Sequence, residues 1–293
     1  MPNAIVASQP VAVEEGAKVL MGGGNAIDAA VTAAFVQSIL DPHSCGIGGY
    51  ALVNLHLAGQ SGSIGIDAPA LAGSKTSPTM WEDKLLRPNP DGWGYFLEGK
   101  VNDAGYTSIC IPGWIKGMSA ILERYGTISW ADAIAPAVRV ANEGYVVSDF
   151  HANRWKKKVA YPEASSLLDY ILMNPEASRI YLKANGEPYD TGDVLRNPDY
   201  AATLSHLATH GPEDFYTGEL AARMIADLEA NGSYVTADDL AEYTLREDMV
   251  VTGTYRDYTI TSAASPHGGP TLIAILNILE GFDLAALGHN TAD

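Results

Sequence analysis

An alanine-rich apolar segment near the N-terminus constrains the fold more strongly than any other part of this chain. From Asn25 to Ile39 the apolar residues recur at helical spacing, and many of them are alanine, which allows close packing against other elements. Asn25 is a good N-cap, and Asp28 lies in the first turn, where a carboxylate is favourable. The sequence therefore predicts a central, buried helix, preceded by another helix that begins near Pro10 and ends at glycines 22–24.

A glycine-rich loop follows this helix and leads into a strand. The loop spans residues 41–49 (DPHSCGIGG), and the alternation over Tyr50–Leu57 predicts a strand with Ser63–Asp67 as its partner. The glycines resemble a dinucleotide-binding loop, but that fingerprint requires a strand before the glycines and a helix after them. Here the order is reversed, so a dinucleotide-binding loop is rejected.

The rest of the chain mixes helices and strands without strict alternation. The further predicted elements are, in chain order, strands at 4–7 and 106–111, an irregular excursion at 74–105, helices at 112–126, 129–142 and through most of 150–245, a hairpin at 249–263 and an apolar helix at 271–279. This order disfavours a doubly wound parallel sheet, and no internal repeat or clear linker is visible.

Composition and charge exclude several classes of function. The chain has 293 residues, of which 47% are hydrophobic, and a formal net charge of −17. Such an acidic surface repels phosphate backbones, and no basic stripe with interleaved aromatic residues is visible, so nucleic-acid binding is not expected. No apolar run reaches the roughly 18 residues needed to span a bilayer, so no membrane partner is expected. Without a visible signal peptide the expected location is cytoplasmic, or periplasmic or secreted if a leader was removed.

The residues by themselves do not identify a catalytic nucleophile. Cys45 lies in the glycine-rich loop without a base that can be named, and Cys110 is expected at a buried strand position. His206 and His210 stand four residues apart on a predicted helix, but the Glu that zincin sites place after the first histidine is absent. Two solvated histidines are the favoured interpretation. The other histidines show no ligand spacing, so no metal site is predicted.

Several motifs, taken in order, resemble the large subunit of the γ-glutamyltranspeptidase family. The first are Gly23–Ala30 (GGNAIDAA), Asp41–Ser44, Gly46–Gly49 and Ala68–Ala70. The further matching segments are Pro112-Gly113, Arg124–Gly126, Asn197–Leu204, Asp214–Gly218, Asp238–Tyr243, Gly268-Gly269 and Ile275–Glu280. Their order and spacing are those of the family over nearly the whole chain, which makes the resemblance specific.

The resemblance implies a fold and a partner. The fold is α+β, the four-layer αββα sandwich of N-terminal-nucleophile hydrolases, completed by a second chain. Residues 1–293 would be the large-subunit portion of a single domain of this type. The implied partner is a small (beta) subunit from the same precursor, and a dimer of such heterodimers is one assembly that the resemblance allows.

The resemblance also implies an activity, an amidohydrolase or acyltransferase. In this family a precursor cleaves itself, and the threonine freed at the start of the small subunit attacks an amide carbonyl, with its own amine as base. The substrate would be a small-molecule amide, with no cofactor, no metal and no catalytic residue on this chain. Gly288–Asp293 matches the start of a further large-subunit helix, so Thr291 is not the expected nucleophile.

One position departs from the pattern that binds γ-glutamyl groups. Family members with that specificity have an arginine just before Ala-Pro-Ala, which clamps the substrate carboxylate. The matching residue here is Gly65, and Asp67 would repel a carboxylate. Lys75 or Arg87 from the following excursion are the candidates to replace the clamp. The hypothesis is therefore a family member whose acyl group is not γ-glutamyl.

Three segments are candidate substrate-binding positions by their place in the family pattern. They are Gly65 with Asp67, the turn His267-Gly268-Gly269 before a helix, whose N-terminus favours an anion, and His43-Ser44 after the central helix. An ordinary turn or core role is the alternative for each. Three functions stay open: an amidohydrolase or acylase of non-glutamyl specificity, a true γ-glutamyltransferase or glutathione hydrolase, and a non-catalytic relative that serves binding or assembly.

Overall fold

A computed structural model of the chain describes residues 3–92 and 94–292, in which many helices accompany short strands. The helices are α1 (Pro10–Met21), α2 (Ala26–Leu40), α3 (Trp114–Tyr125), α4 (Trp130–Glu143), α5 (Asp149–Trp155), α6 (Leu167–Met173), α7 (Pro175–Tyr181), α8 (Pro198–His210), α9 (Asp214–Thr217), α10 (Glu219–Ala230), α11 (Ala237–Ala241), α12 (Gly269–Leu279) and α13 (Leu284–Leu287). Within the described ranges, no helix combines the length and the apolar character that a bilayer crossing requires.

The strands pair antiparallel throughout the described residues. They are β1 (Ala51–Leu55), β2 (Ile64–Ala68), β3 (Leu85–Pro88), β4 (Tyr95–Leu97), β5 (Tyr145–Val146), β6 (Val194–Leu195), β7 (Arg246–Glu247), β8 (Val250–Tyr255) and β9 (Tyr258–Ala263). One sheet has the order β1-β2-β7, and β3-β4, β5-β6 and β8-β9 are separate pairs. This arrangement confirms the α+β class and excludes a doubly wound parallel sheet.

Helix α2 lies at the centre of the core, as predicted. Its Val31 and Phe35 side chains are fully buried, and the helix packs against α1, α3 and α4. The ring of Phe35 meets the rings of Trp114 and Trp130 edge-on, at centroid distances of 4.7 and 5.2 Å. Burying one such aromatic side chain stabilises the fold by about 2 kcal/mol. A helix with apolar residues on all sides therefore stays in the interior.

A buried carboxylate fixes the N-terminus of α2. Asn25 caps the helix by accepting hydrogen bonds from the amides of Ile27 (2.8 Å) and Asp28 (3.0 Å). The Asp28 carboxylate accepts from the Asn25 amide (2.7 Å) and from the amide and hydroxyl of Thr127 (2.7 and 2.6 Å). Desolvation of the buried group opposes its ionisation, yet these hydrogen bonds hold the pKa of Asp28 below its usual value. Asp28 thus ties α2 to the turn between α3 and α4.

The predicted strand at residues 4–7 is wrong. No strand forms there, and the side chain of Ile5 packs against α1 at Gly16, where an added Cβ would collide with it. An apolar run of four residues does not distinguish a strand from a segment that lies on a helix.

The predicted strand at 106–111 is also wrong. A 3-10 turn forms over Tyr106–Ser108, and Ile111 makes an isolated bridge to Leu71. The Thr107 hydroxyl donates to the carbonyl of Val101 (2.7 Å), and such local side-chain bonds compete with strand pairing. Cys110 is consequently exposed, whereas a buried position was predicted.

Most of the remaining predicted elements are confirmed. β1 pairs with β2, and β8 with β9 forms the hairpin predicted at 249–263. The excursion at 74–105 is mostly irregular, with the short β3-β4 pair as an addition. Residues 288–292 do not begin a helix, since α13 ends before Gly288, and Asp293 lies outside the described residues. The single domain over residues 1–293 stays a prediction.

Replacing Asp28 with asparagine should weaken folding. Hydrogen bonds to a charged group contribute about 1.5–3 kcal/mol each, so D28N should lower the free energy of unfolding at pH 7 by about 3 kcal/mol, measured by urea denaturation. Asp132 offers a matched control, because it also follows an N-cap, Ser129, but is exposed. The D132N variant should lose less than about 1 kcal/mol.

The stability difference between wild type and D28N should also depend on pH. The pKa of Asp28 is lower in the folded state, so its contribution is fully present above the unfolded pKa of about 3.9 and is lost as the pH falls through the folded value. The difference in unfolding free energy between wild type and D28N should therefore shrink below about pH 4. A difference that stays constant over that range would contradict a charged Asp28.

Candidate functional site

Asp67 and His267 lie together beside the middle strand of the three-stranded sheet. Asp67 is on β2, and His267 is in the turn before α12. Nε2 of His267 is 3.0 Å from Oδ2 of Asp67, whose side chain is fully buried. Neither carboxylate oxygen has a hydrogen-bond partner within residues 3–92 and 94–292, because the histidine contact lacks hydrogen-bond geometry. A buried carboxylate is costly without a facing cation or donor, so His267 is its closest compensating group.

A third charged side chain, Arg246, borders this pair. β7 lies beside β2 with Arg246 opposite Asp67, and Nη1 of Arg246 is 3.9 Å from Oδ2 of Asp67. The Arg246 side chain is 46% exposed, so its guanidinium stands between the buried carboxylate and the surface. Arg246 was not predicted, because it is far from Gly65 in the chain and only the pairing of β7 with β2 brings it beside Asp67.

Tyrosine side chains hold the end of β2 in place. The Tyr243 hydroxyl donates to the carbonyl of Pro69 (2.7 Å), and its ring stacks on Tyr216 at a centroid distance of 5.7 Å. Tyr216 donates in turn to the carbonyl of Pro112 (3.0 Å). Burial, and then the charge of Asp67, raise the pKa of Tyr243, so its hydroxyl stays a proton donor. The Ala-Pro-Ala and Pro-Gly motifs of the sequence are therefore joined through two phenols.

Gly65 lies where a neighbouring backbone leaves no room for a side chain. A Cβ at Gly65 would stand 2.5 Å from Cγ2 of Val250 and 2.8 Å from the carbonyl carbon and oxygen of Met249. The Met249 amide also donates to the carbonyl of Gly65 (3.3 Å). Residues 249–250, at the start of β8, therefore leave no room for a side chain at position 65.

The glycines after His267 differ in their surroundings. A Cβ at Gly269 would collide with the carbonyl oxygen of Ala263 at the end of β9, whereas a Cβ at Gly268 would meet nothing within 4 Å. Close backbone approach explains Gly269 without a ligand. No such packing reason applies to Gly268, which precedes α12.

His43 and Ser44 do not join the group around Asp67. Nε2 of His43 is 2.9 Å from Oδ1 of Asp41, which is also 3.6 Å from Nε2 of His151. Ser44 is exposed, and its amide donates to the carbonyl of Asp41 (3.0 Å). The structure therefore gathers Asp67 with His267 and places His43 in a second cluster. His151 carries no spacing signal that links it to this cluster.

The other candidates are also resolved by their contacts. Nε2 of His206 is 2.9 Å from Oδ2 of Asp214, and its ring stacks on His210 at 4.0 Å. The prediction of two solvated histidines is thus right for the exposed His210 and wrong for the half-buried His206. Burial, helped by Asp41, raises the pKa of the Cys45 thiol to about 12, which argues against a thiolate nucleophile.

Known protein structures share the fold of this chain. The crystal structure of Helicobacter pylori γ-glutamyltranspeptidase matches with a TM-score of 0.86 and 32% identity, covering 100% of this chain and 80% of that chain. This likeness confirms the predicted α+β fold of the N-terminal-nucleophile hydrolase type. The γ-glutamyltranspeptidase family model matches residues 12–293. The chain belongs to the γ-glutamyltranspeptidase family.

Curated relatives carry two different names. The chain is 32% identical over 293 residues to the acylase ACY 1 proenzyme of Pseudomonas sp. (strain V22), covering 99% of this chain and 50% of that protein. It is 30% identical over 283 residues to the glutathione hydrolase proenzyme of Escherichia coli (strain K12), covering 96% of this chain and 46% of that protein. The chain therefore spans about half the length of these curated relatives.

Adding a single methyl group at Gly65 should destabilise the protein. The Cβ of G65A would push against the Met249 backbone, and overpacking of this kind lowers the free energy of unfolding by about 2 kcal/mol. Gly48 is the control, because a Cβ there meets nothing within 4 Å and G48A should stay within about 0.5 kcal/mol of wild type. Equal effects in urea denaturation would contradict the close approach at Gly65.

The Asp67–His267 contact should appear as an energetic coupling. We expect D67N and H267Q to be non-additive in unfolding free energy by at least about 1 kcal/mol, because each partner alone is left beside an uncompensated polar group. D67N combined with H210Q, which removes a distant exposed histidine, should be additive within about 0.5 kcal/mol. Additivity in both double variants would rule out the coupling.

Proposed function

We propose that this chain is the larger-subunit portion of a self-processing amidohydrolase or acyltransferase whose acyl group is not γ-glutamyl. The observation that carries the specificity is the closed position at Gly65, where the Met249 backbone lies against the Cα of the residue. A guanidinium cannot project from that point of β2. Asp67, two residues further along β2, would repel a substrate carboxylate brought beside it.

A companion small subunit would supply the nucleophile. Family membership supports this partner, as does the fact that the chain spans about half of relatives that are named proenzymes. The C-terminal part of the chain also exposes large apolar side chains. Leu272, Ile275, Ile278 and Phe282 are 45%, 49%, 66% and 58% exposed. Apolar surface of this extent usually marks an interface, and a companion chain would cover it.

The chemistry would divide between the two chains. The terminal threonine hydroxyl of the small subunit attacks the amide carbonyl while its own amine takes the proton. The C–N bond then breaks, the leaving amine takes that proton, and the acyl group stays on the threonine as an ester. Water or a second amine then takes the acyl group. On this chain, His267 is 23% exposed and is the member of the buried pair that a substrate can reach. Asp67 would orient that imidazole toward the acyl group.

A true γ-glutamyl enzyme with a relocated clamp is the second candidate, and Arg246 favours it. This guanidinium is partly exposed beside the site, so it could bind a substrate carboxylate. Arg87, suggested earlier for that role, is engaged elsewhere, since its Nε and Nη2 donate to Glu163 (2.9 and 2.8 Å). Its guanidinium also lies 4.9 Å from the centre of the Phe96 ring.

A processing assay followed by a substrate panel tests the proposal. The purified full-length gene product should separate into two fragments, the smaller beginning with threonine by N-terminal sequencing. Its kcat/KM should then be measured with the γ-glutamyl anilide and with anilides of acyl groups that lack the α-amino and α-carboxyl groups. We expect the best of these to exceed the γ-glutamyl anilide by at least about tenfold, the discrimination that one binding contact typically supplies.

The other possible outcomes of the processing assay and the substrate panel each favour one of the alternative functions. Failure to process would favour a non-catalytic relative. If the γ-glutamyl anilide is the best substrate and R246Q raises its KM, the second candidate is correct. R246K, which keeps the charge without the planar fork, should then restore part of the affinity.

A further inference from the structure

A second cluster of ionisable side chains lies where the C-terminus of α2 meets the N-terminus of α5. Asp41 directly follows α2, His43 is in the loop beyond it, and His151 is in the first turn of α5. Oδ1 of Asp41, a ring nitrogen of His43 and a ring nitrogen of His151 lie within 4.8 Å of one another. The three side chains are only 7%, 7% and 2% exposed. The proposed amide chemistry does not use this cluster.

The cluster contains polar atoms whose bonding is incomplete. Within residues 3–92 and 94–292, neither ring nitrogen of His43 has a hydrogen-bond partner, and neither does Oδ1 of Asp41. Their 2.9 Å contact has the distance of an ion pair without the geometry of a hydrogen bond. Buried polar groups in folded proteins are nearly always satisfied, so these atoms require an explanation, and a bound ion is one that accounts for all of them.

The surroundings of His151 point to a ligating tautomer. Ser148 Oγ is 3.3 Å from Nδ1, where it can accept the ring N–H, and this leaves a lone pair on Nε2. The side-chain amide nitrogen of Gln9, a donor, is 3.3 Å from Nε2 of His151. An unprotonated Nε2 cannot donate to Asp41, whereas a cation placed between them would be attracted by both groups. Metal-binding histidines usually donate their second N–H, as His151 can do to Ser148.

We propose that Asp41, His43 and His151 bind a first-row divalent cation, with Zn²⁺ as the best match. Tetrahedral Zn²⁺ with ligands at about 2.0–2.1 Å separates its ligand atoms by about 3.3 Å. The observed separations of 2.9 and 3.6 Å from Asp41 Oδ1 lie on either side of that value. Two imidazoles and one carboxylate suit Zn²⁺ better than the all-oxygen sites of Ca²⁺ or Mg²⁺, and a fourth position stays open for water.

Access favours metal binding at this cluster. His43 also lines a cavity of about 370 Å³, together with Trp155 and Tyr170. That cavity gives an ion a route to the cluster.

Metal titration of the full-length gene product tests this site. The protein is stripped with EDTA, titrated with Co²⁺ while the visible spectrum is recorded, and then with competing Zn²⁺. We expect one equivalent with the intense absorption of tetrahedral Co²⁺, and an affinity at least about tenfold weaker in H43Q and in H151Q. H210Q is the matched control, since the stacked His206–His210 pair is another place where a metal could collect. It should bind as wild type does.

A folding defect in a variant must not be mistaken for a lost ligand. Circular dichroism therefore checks each metal-free variant, and X-ray absorption of the Zn²⁺-loaded wild type counts imidazole ligands without any substitution. Two imidazoles support the site. The proposal is overturned by fewer than two imidazoles, by binding that H43Q and H151Q leave unchanged, by loss of binding in H210Q, or by no stoichiometric binding. None of these readouts depends on amide hydrolysis, so the site can stand or fall independently of the proposed function.

Discussion

The interior position of α2 is the constraint on which the rest of the structure depends. A helix with no polar face cannot be oriented by solvent, so the polar groups at its two ends must fix it. At the N-terminus, the Asp28 carboxylate accepts from Asn25 and from Thr127, which joins α2 to the α3–α4 turn. At the C-terminus, Asp41 faces two histidines, one of them on α5. Because both ends of α2 are held, the positions at which the glycine-rich loop and then β1 begin are fixed as well.

Local signals made the helices predictable. Asn25 caps the helix that the sequence assigned to it, and Ser129 caps the helix predicted at 129–142, because a capping hydrogen bond spans only a few residues. Strands lack such signals, and the two wrong strand predictions were both short segments. Residues 106–108 form a 3-10 turn instead, and the Thr107 hydroxyl donates to the nearby carbonyl of Val101. Whether a segment forms a strand depends on its pairing partners, which are distant in the chain.

The candidate site shows the same division between local and distant information. The family pattern pointed to Asp67 and to His267 separately, but only strand and helix packing shows that their side chains touch. Arg246 had no local signal, because its relevance arises from the β2-β7 register. His151 likewise became relevant only when α5 packed near Asp41. Chemistry that depends on one segment was visible in the sequence, whereas chemistry shared between segments was not.

The tight contact at Gly65 also limits how this strand can be redesigned. Any side chain introduced at position 65 would strike the Met249 backbone. The Met249 amide also donates to the Gly65 carbonyl, so the two segments are joined as well as close. A protein engineer who wants a new functional group at this point of β2 must therefore rebuild residues 249–250 in the same step.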